Sequence, residues 1–283
     1  MQKPDIKIFV SCHQNSFVPE HPLLYPIQVG TSLSDSEFPN MLHDNTGDHI
    51  SEKNKRFCEL TAQYWVWKNI EADYYGFFHY RRYLVPNPKT KKIYQLHSLP
   101  DEIFLDKCEF SQFESLIPNY DIIVPKSENM RIPVARHYAE ANFHHKKDLE
   151  LMKSILIRQQ PQYQSAMEQY LMQTSCYFGN IFIMKKEVFQ DYCEWLHPVL
   201  FHIEQEIDMT EYGVEEQRVL GYLGERLLGI YYTQRKRHLR CLELPRMHFE
   251  GKSMVRWRKQ WVNLCLPVGS WRRAMVKGRM IGW

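Results

Sequence analysis

Four short apolar runs rich in β-branched and aromatic residues, set among segments of helical periodicity, constrain this chain more than any other feature. They span Ile6–Cys12, Tyr74–His79, Asp121–Pro125 and Cys176–Met184, and each is bounded by polar or turn residues. Between them, apolar side chains recur at helical spacing from Ser51 to about Asn69 (Leu60, Tyr64, Trp67 and, just beyond, Ile70), and again over 145–158, 161–173, 186–207 and 215–229. Ile230–Thr233 reads as a last strand. The alternation predicts an α/β fold with one Rossmann-like, mostly parallel sheet. Pro19–Asn45 and the weakly periodic Pro86–Pro118 read as loops.

A length of 283 residues suits one such domain with an appendage, and charge marks the boundary. Lys252–Trp283 holds eight basic residues and no Asp or Glu, interleaved with Trp257, Trp261, Trp271 and Trp283. We therefore expect a domain over residues 1–250 and a basic amphipathic tail over 251–283 that lies on a membrane surface. The net charge of +3 makes no case for a nucleic-acid partner. Seven cysteines without any C-x-x-C spacing argue against a zinc site or a disulfide framework. The N-terminus shows no apolar signal region, and no run approaches the roughly 18 apolar residues of a membrane span. The expected location is cytoplasmic, peripheral on the inner face of the membrane.

Candidate chemistry gathers where open α/β sheets bind ligands, at the carboxyl ends of the strands. His79-Tyr80-Arg81-Arg82 closes the second apolar run, and its two guanidinium groups could hold a diphosphate through charge-assisted hydrogen bonds. A solvated arginine pair beside a packed aromatic would have the same sequence. Asp48 to Asn54 leads into a helix start, which can receive phosphate or simply be capped. Arg218, Tyr222 and Glu225 share one helix face, as a catalytic group or as an ion-pair ladder. His137, His144 and His145 upstream of Asp148 form no metal-binding motif. With no D-x-D at a strand end, no cofactor is required, although a divalent metal could still be recruited. Walker A and G-x-G-x-x-G loops are absent too.

The order of these elements resembles the capsular and exopolysaccharide biosynthesis proteins once catalogued as a domain of unknown function, some of them described as galactofuranosyltransferases. The resemblance rests on Ile8 to His13, Asp48 to Asn54, Cys58 to Thr61, Tyr64 to Asn69, Gly76 to Tyr83, Tyr120 to Pro125, Gly179 to Met184 and Arg218 to Leu227. It implies a GT-A-like glycosyltransferase fold. It also implies a diphosphate role for Arg81 and Arg82, orientation of the donor by His79, and nucleotide or donor contacts from Ser11, His13, Asp48, Asn54, Asp121, Asn180 and Arg218.

The activity so implied is transfer of a hexosyl unit, galactofuranosyl among the candidates, from a UDP-sugar to a hydroxyl of a growing lipid-linked surface polysaccharide such as capsule, exopolysaccharide or O-antigen. Glu225 is the first candidate for general base, with Glu216 and Asp121 in reserve. The alternative is a non-catalytic glycan- or nucleotide-binding subunit of a polysaccharide-assembly complex.

Overall fold

The computed structural model describes residues 3–89, 94–97 and 109–249. The expected tail, 251–283, lies outside the described residues. Twelve strands are present among the described residues: β1 (Ile6–Cys12), β2 (Leu24–Gln28), β3 (Leu42–His43), β4 (Tyr74–His79), β5 (Arg82–Leu84), β6 (Tyr94–His97), β7 (Ile122–Pro125), β8 (Glu128–Asn129), β9 (Ser175–Cys176), β10 (Phe182–Lys185), β11 (Cys241–Leu244) and β12 (Arg246–Phe249). The helices are α1 (Asn54–Phe57), α2 (Leu60–Asn69), α3 (Gln112–Leu116), α4 (Val134–Glu140), α5 (Lys146–Gln159), α6 (Gln164–Met172), α7 (Lys186–Glu206) and α8 (Val219–Arg235).

One mixed sheet runs β11-β7-β10-β4-β1-β2-β3, with β5, β12 and β6 branching from β4. The pairs β1–β2, β1–β4, β2–β3 and β7–β11 are parallel, whereas β10 runs antiparallel to both its neighbours. The fold is thus the α/β arrangement expected, a Rossmann-type domain around a mostly parallel sheet. β1 and β4 read as continuous apolar runs because both faces are covered: Ile8, Phe9, Val10, Tyr75, Phe77 and Phe78 are all buried. One apolar cluster packs Phe9, Tyr75, Phe77 and Phe182 under α2, α7 and α8, and the other packs Ile8, Val10, Phe78 and Ile183 under α3 and β12.

Several elements differ from the sequence reading. Ile230–Thr233 is not a strand but the last turns of α8, where all four side chains are buried. The last strands among the described residues are β11 and β12. The loop expected over Pro19–Asn45 contains β2 and β3, whose five and two residues are too short to show a period. The single run Cys176–Met184 divides into β9 and β10, because Gly179 and Asn180 take φ of +96° and +49°. The helix expected from Ser51 breaks at Cys58, whose φ is +52°.

Candidate functional site at the carboxyl ends of β1 and β4

Strand register lays four side chains in one row. Ser11 of β1 pairs with His79 of β4, His79 with Arg82 of β5, and Arg82 with His248 of β12. Directly paired residues project to the same face, so the row is fixed by backbone hydrogen bonding rather than by loops. It borders a cavity of about 700 Å³ whose lining includes Ser11, His13, Asn54, His79, Arg81, Arg82, Arg218 and Glu225.

The cavity is rich in cations, and three of them, Lys55, Arg81 and Arg82, lack a carboxylate partner among the described residues. Arg81 and Arg82 form no ion pair among the described residues. The Arg81 Nε is buried without a hydrogen-bond partner, while its guanidinium lies 5.1 Å from the Tyr80 ring centroid. Arg218 is better held: Nη1 reaches Glu215 Oε2 at 3.0 Å, and Nε donates to Cys58 Sγ at 3.5 Å.

Burial, with Arg82 and Arg81 behind it, holds the His79 imidazole well below its ordinary range, so the ring is neutral. Its Nδ1 accepts the Arg81 backbone N–H at 3.1 Å, which places the ring proton on Nε2. His13 is pushed down as well, by burial and by Arg81 and Arg218, and its Nε2 lies 3.3 Å from the Tyr80 hydroxyl. Burial lowers His248 to about 3, with Arg82 adding to the effect. The row therefore offers neutral imidazoles beside fixed positive charge.

Asn54 and its surroundings build another part of the wall. Its Nδ2 donates to the Cys58 carbonyl at 2.8 Å and to Thr61 Oγ1 at 3.0 Å, fastening the helix break. The left-handed Gly30 (φ +68°) packs so closely that a Cβ there would lie 2.7 Å from Asn54 Cγ. Beneath them, the fully buried Asp44 accepts from the Gly30 and Thr31 amides and the Ser51 and Thr61 hydroxyls, at 2.5 to 3.0 Å. Ser51 is therefore occupied in tying down the β2–β3 loops and does not cap a helix.

Glu225 reaches the cavity from α8. Its Oε1 accepts the Gly179 N–H at 2.7 Å, and Oε2 pairs with the buried Arg226 at 3.2 Å. Asn180 stands behind the wall: it is 2% exposed, and its Nδ2 donates to Glu59 Oε1 at 2.9 Å and to the Gly221 carbonyl at 3.1 Å. Asp48 is outside the lining, where its carboxylate accepts from the Tyr64 hydroxyl at 3.1 Å and its carbonyl from Asn69 Nδ2 at 2.8 Å. Asp121 precedes β7, at the amino end of the strand. It is clamped to Arg240 at 2.7 Å, and that bond holds its carboxyl below the ordinary range. Glu216 also lies off the cavity, bound to His145 and the Gly213 amide.

Sequence reading gave no role to Lys55, Cys58, Glu59 and Glu215, which also line the cavity. Cys58 and Glu59 reach it because the chain turns at the positive φ of Cys58, and no sequence period announces that turn. The Cys58 thiol, pushed up to about 12 chiefly by burial, stays protonated. Among the described residues no group of three or more His, Cys, Asp or Glu side chains is placed to hold a metal ion, and no helix is long and apolar enough to cross a membrane.

Residues 7–236 match the family described as a domain of unknown function, DUF4422. The fold superposes on the apo structure of the WbbM bifunctional glycosyltransferase with a TM-score of 0.82 and 32% sequence identity, over 88% of this chain and 46% of that one. The chain thus spans about half the length of that protein. No curated protein sequence matches.

Proposed function

We propose that this chain, which belongs to the DUF4422 family, is a glycosyltransferase that moves a hexosyl unit from a UDP-sugar to a hydroxyl of a growing surface polysaccharide. The likeness to a bifunctional glycosyltransferase supports the class of reaction, and a chain matching 46% of that protein suits one of its two activities. The observation that carries the reading is the pair Arg81 and Arg82, cations without ion-pair partners beside a 700 Å³ cavity at the carboxyl ends of parallel strands. A buried guanidinium nitrogen left unpaired is costly unless an anion completes it, and a diphosphate supplies that anion.

In this reading the acceptor oxygen attacks the anomeric carbon as the bond from that carbon to the β-phosphate oxygen breaks. The electron pair leaves on UDP. Arg81 and Arg82 stabilise the charge developing on the diphosphate, in a site whose donors are oriented before reaction. The neutral His79 donates from Nε2 to donor or phosphate oxygen, and Arg218 supplies a further cation. Ser11, His13 and Asn54 line the nucleotide pocket. The acceptor proton goes to a carboxylate on the cavity, Glu225 or Glu59. Asn180 acts through Glu59 rather than by direct contact.

Incubating the chain with UDP-hexoses and a polysaccharide or lipid-linked acceptor tests the reading. We expect UDP release that depends on acceptor and falls by about 100-fold or more in Arg81→Ala. UDP binding without any release would leave a nucleotide-binding subunit in place of an enzyme.

A further inference from the structure

Three carboxylates line the cavity; Glu215 is paired with Arg218 at 3.0 Å, and the surroundings of the other two differ in kind. Both oxygens of Glu225 are occupied, Oε1 by the Gly179 amide at 2.7 Å and Oε2 by Arg226 at 3.2 Å. Arg226 is 1% exposed, and its guanidinium lies 5.6 and 5.3 Å from the Tyr138 and Phe178 rings. Glu225 is its one carboxylate partner among the described residues, so protonating Glu225 would leave a buried charge uncompensated. Glu225 is therefore committed through both oxygens to the Gly179 amide and Arg226.

Glu59 is bonded to another residue through one oxygen only. Its Oε1 accepts from Asn180 Nδ2 at 2.9 Å, whereas Oε2 makes no hydrogen bond to another of the described residues. Asn180 is itself fixed, because Nδ2 also donates to the Gly221 carbonyl and its backbone carbonyl accepts from Gln63 at 3.1 Å. Three elements thus set the orientation of Glu59: the turn at Cys58, the Gly179-Asn180 bend and α8. The groups facing it are Glu225 from α8 and Arg82 from β5. Burial, and after it the Glu225 charge, push its carboxyl up, against its own backbone N–H, Asn180 and Arg82, which act the other way. A carboxylate raised in this way is a stronger base than an ordinary one.

We propose that Glu59, through its unoccupied Oε2, takes the proton of the acceptor hydroxyl, and that Glu225 is a fixed negative charge that does not change protonation during transfer. Two carboxyl groups in one site are given different roles by their environments. As the acceptor oxygen bonds to the anomeric carbon, its proton passes to Glu59 Oε2 and the leaving pair goes to the UDP oxygen. This assignment rests on the transferase reading.

The test compares wild type, Glu59→Gln and Glu225→Gln for UDP affinity by calorimetry and for UDP release from a UDP-hexose as a function of pH. Wild-type kcat/KM falls toward low pH as Glu59 takes up its proton. We expect Glu59→Gln to bind UDP within about threefold of wild type, to lose release by about 100- to 10,000-fold, and to lose that acid limb in its residual rate. Glu225→Gln keeps the limb. The assignment is overturned if Glu59→Gln retains a tenth of the wild-type rate or the acid limb persists in it. It is overturned equally if the limb disappears in Glu225→Gln instead. A wild-type chain that binds UDP yet releases none from any UDP-hexose removes the transferase reading, and this role with it.

Discussion

The imidazole of His197 shows what burial alone does to a titratable side chain in this protein. It is 1% exposed, stacked on Trp67 at 5.4 Å and set edge-on to Tyr64 at 5.1 Å, and neither ring nitrogen has a hydrogen-bond partner. Burial lowers it to about 3, so it is neutral when folded, whereas the unfolded ring titrates near its ordinary 6.5. Below that pH the unfolded chain binds a proton that the folded chain refuses, and stability falls as pH drops from about 6.5 toward 3. His144 and His248, both lowered to about 3, act in the same direction. His197→Phe keeps the stacking and removes the titration. The pH slope of unfolding free energy between 6.5 and 4.5 should then flatten by about 1.4 kcal/mol per pH unit. An unchanged slope in urea melts would show that His197 titrates normally. Sequence could not separate this histidine from the site histidines, because residue type carries no record of burial.

Helix α8 links the core to the cavity, and its glycines show how. A Cβ on Gly221 would lie 2.9 Å from Cys58 Sγ on the cavity wall, and one on Gly229 would lie 2.0 Å from Tyr170 Cζ. Tyr170 cannot yield easily, since it is fully buried and its hydroxyl accepts the Tyr177 N–H at 3.2 Å. Alanine in a helix interior is ordinarily favoured over glycine by about 1 kcal/mol, but an overlap of this size outweighs it. Gly229→Ala should therefore destabilise by about 2 kcal/mol, lowering the melting temperature by roughly 4 to 8 °C. A higher melting temperature would mean that α6 and α8 are packed less tightly than described. At this scale the sequence was partly legible. β1, β4, β7 and β10 showed as apolar runs because the strands are covered on both faces, and the same all-round burial made Ile230–Thr233 of α8 look like a strand. The break at Cys58 was hidden for another reason: a positive φ at a non-glycine residue is held by a side-chain bond, here Asn54 to the Cys58 carbonyl, that leaves no periodic pattern.

Across the whole molecule, the sheet gathers residues from distant parts of the chain onto one cavity. Ser11, His79 and Arg82 meet there through strand pairing alone, with His248 next in the row, and the turn before α8 adds Arg218 and α8 itself Glu225. The arginines were legible because they end an apolar strand, where the α/β architecture places ligands. Asp121 and Asp48 were misleading, since flanking a strand or a helix does not say which end of the sheet a side chain serves. The central claim is that Arg81 and Arg82 hold a diphosphate, and calorimetric titration of UDP and UMP into wild type and Arg81→Ala, without added metal, tests it most directly. Wild type should bind UDP at least about tenfold more tightly than UMP, a difference near 1.4 kcal/mol, and Arg81→Ala should lose most of that preference while remaining folded. Equal binding of UDP and UMP by wild type, or an unchanged preference in the variant, would contradict it.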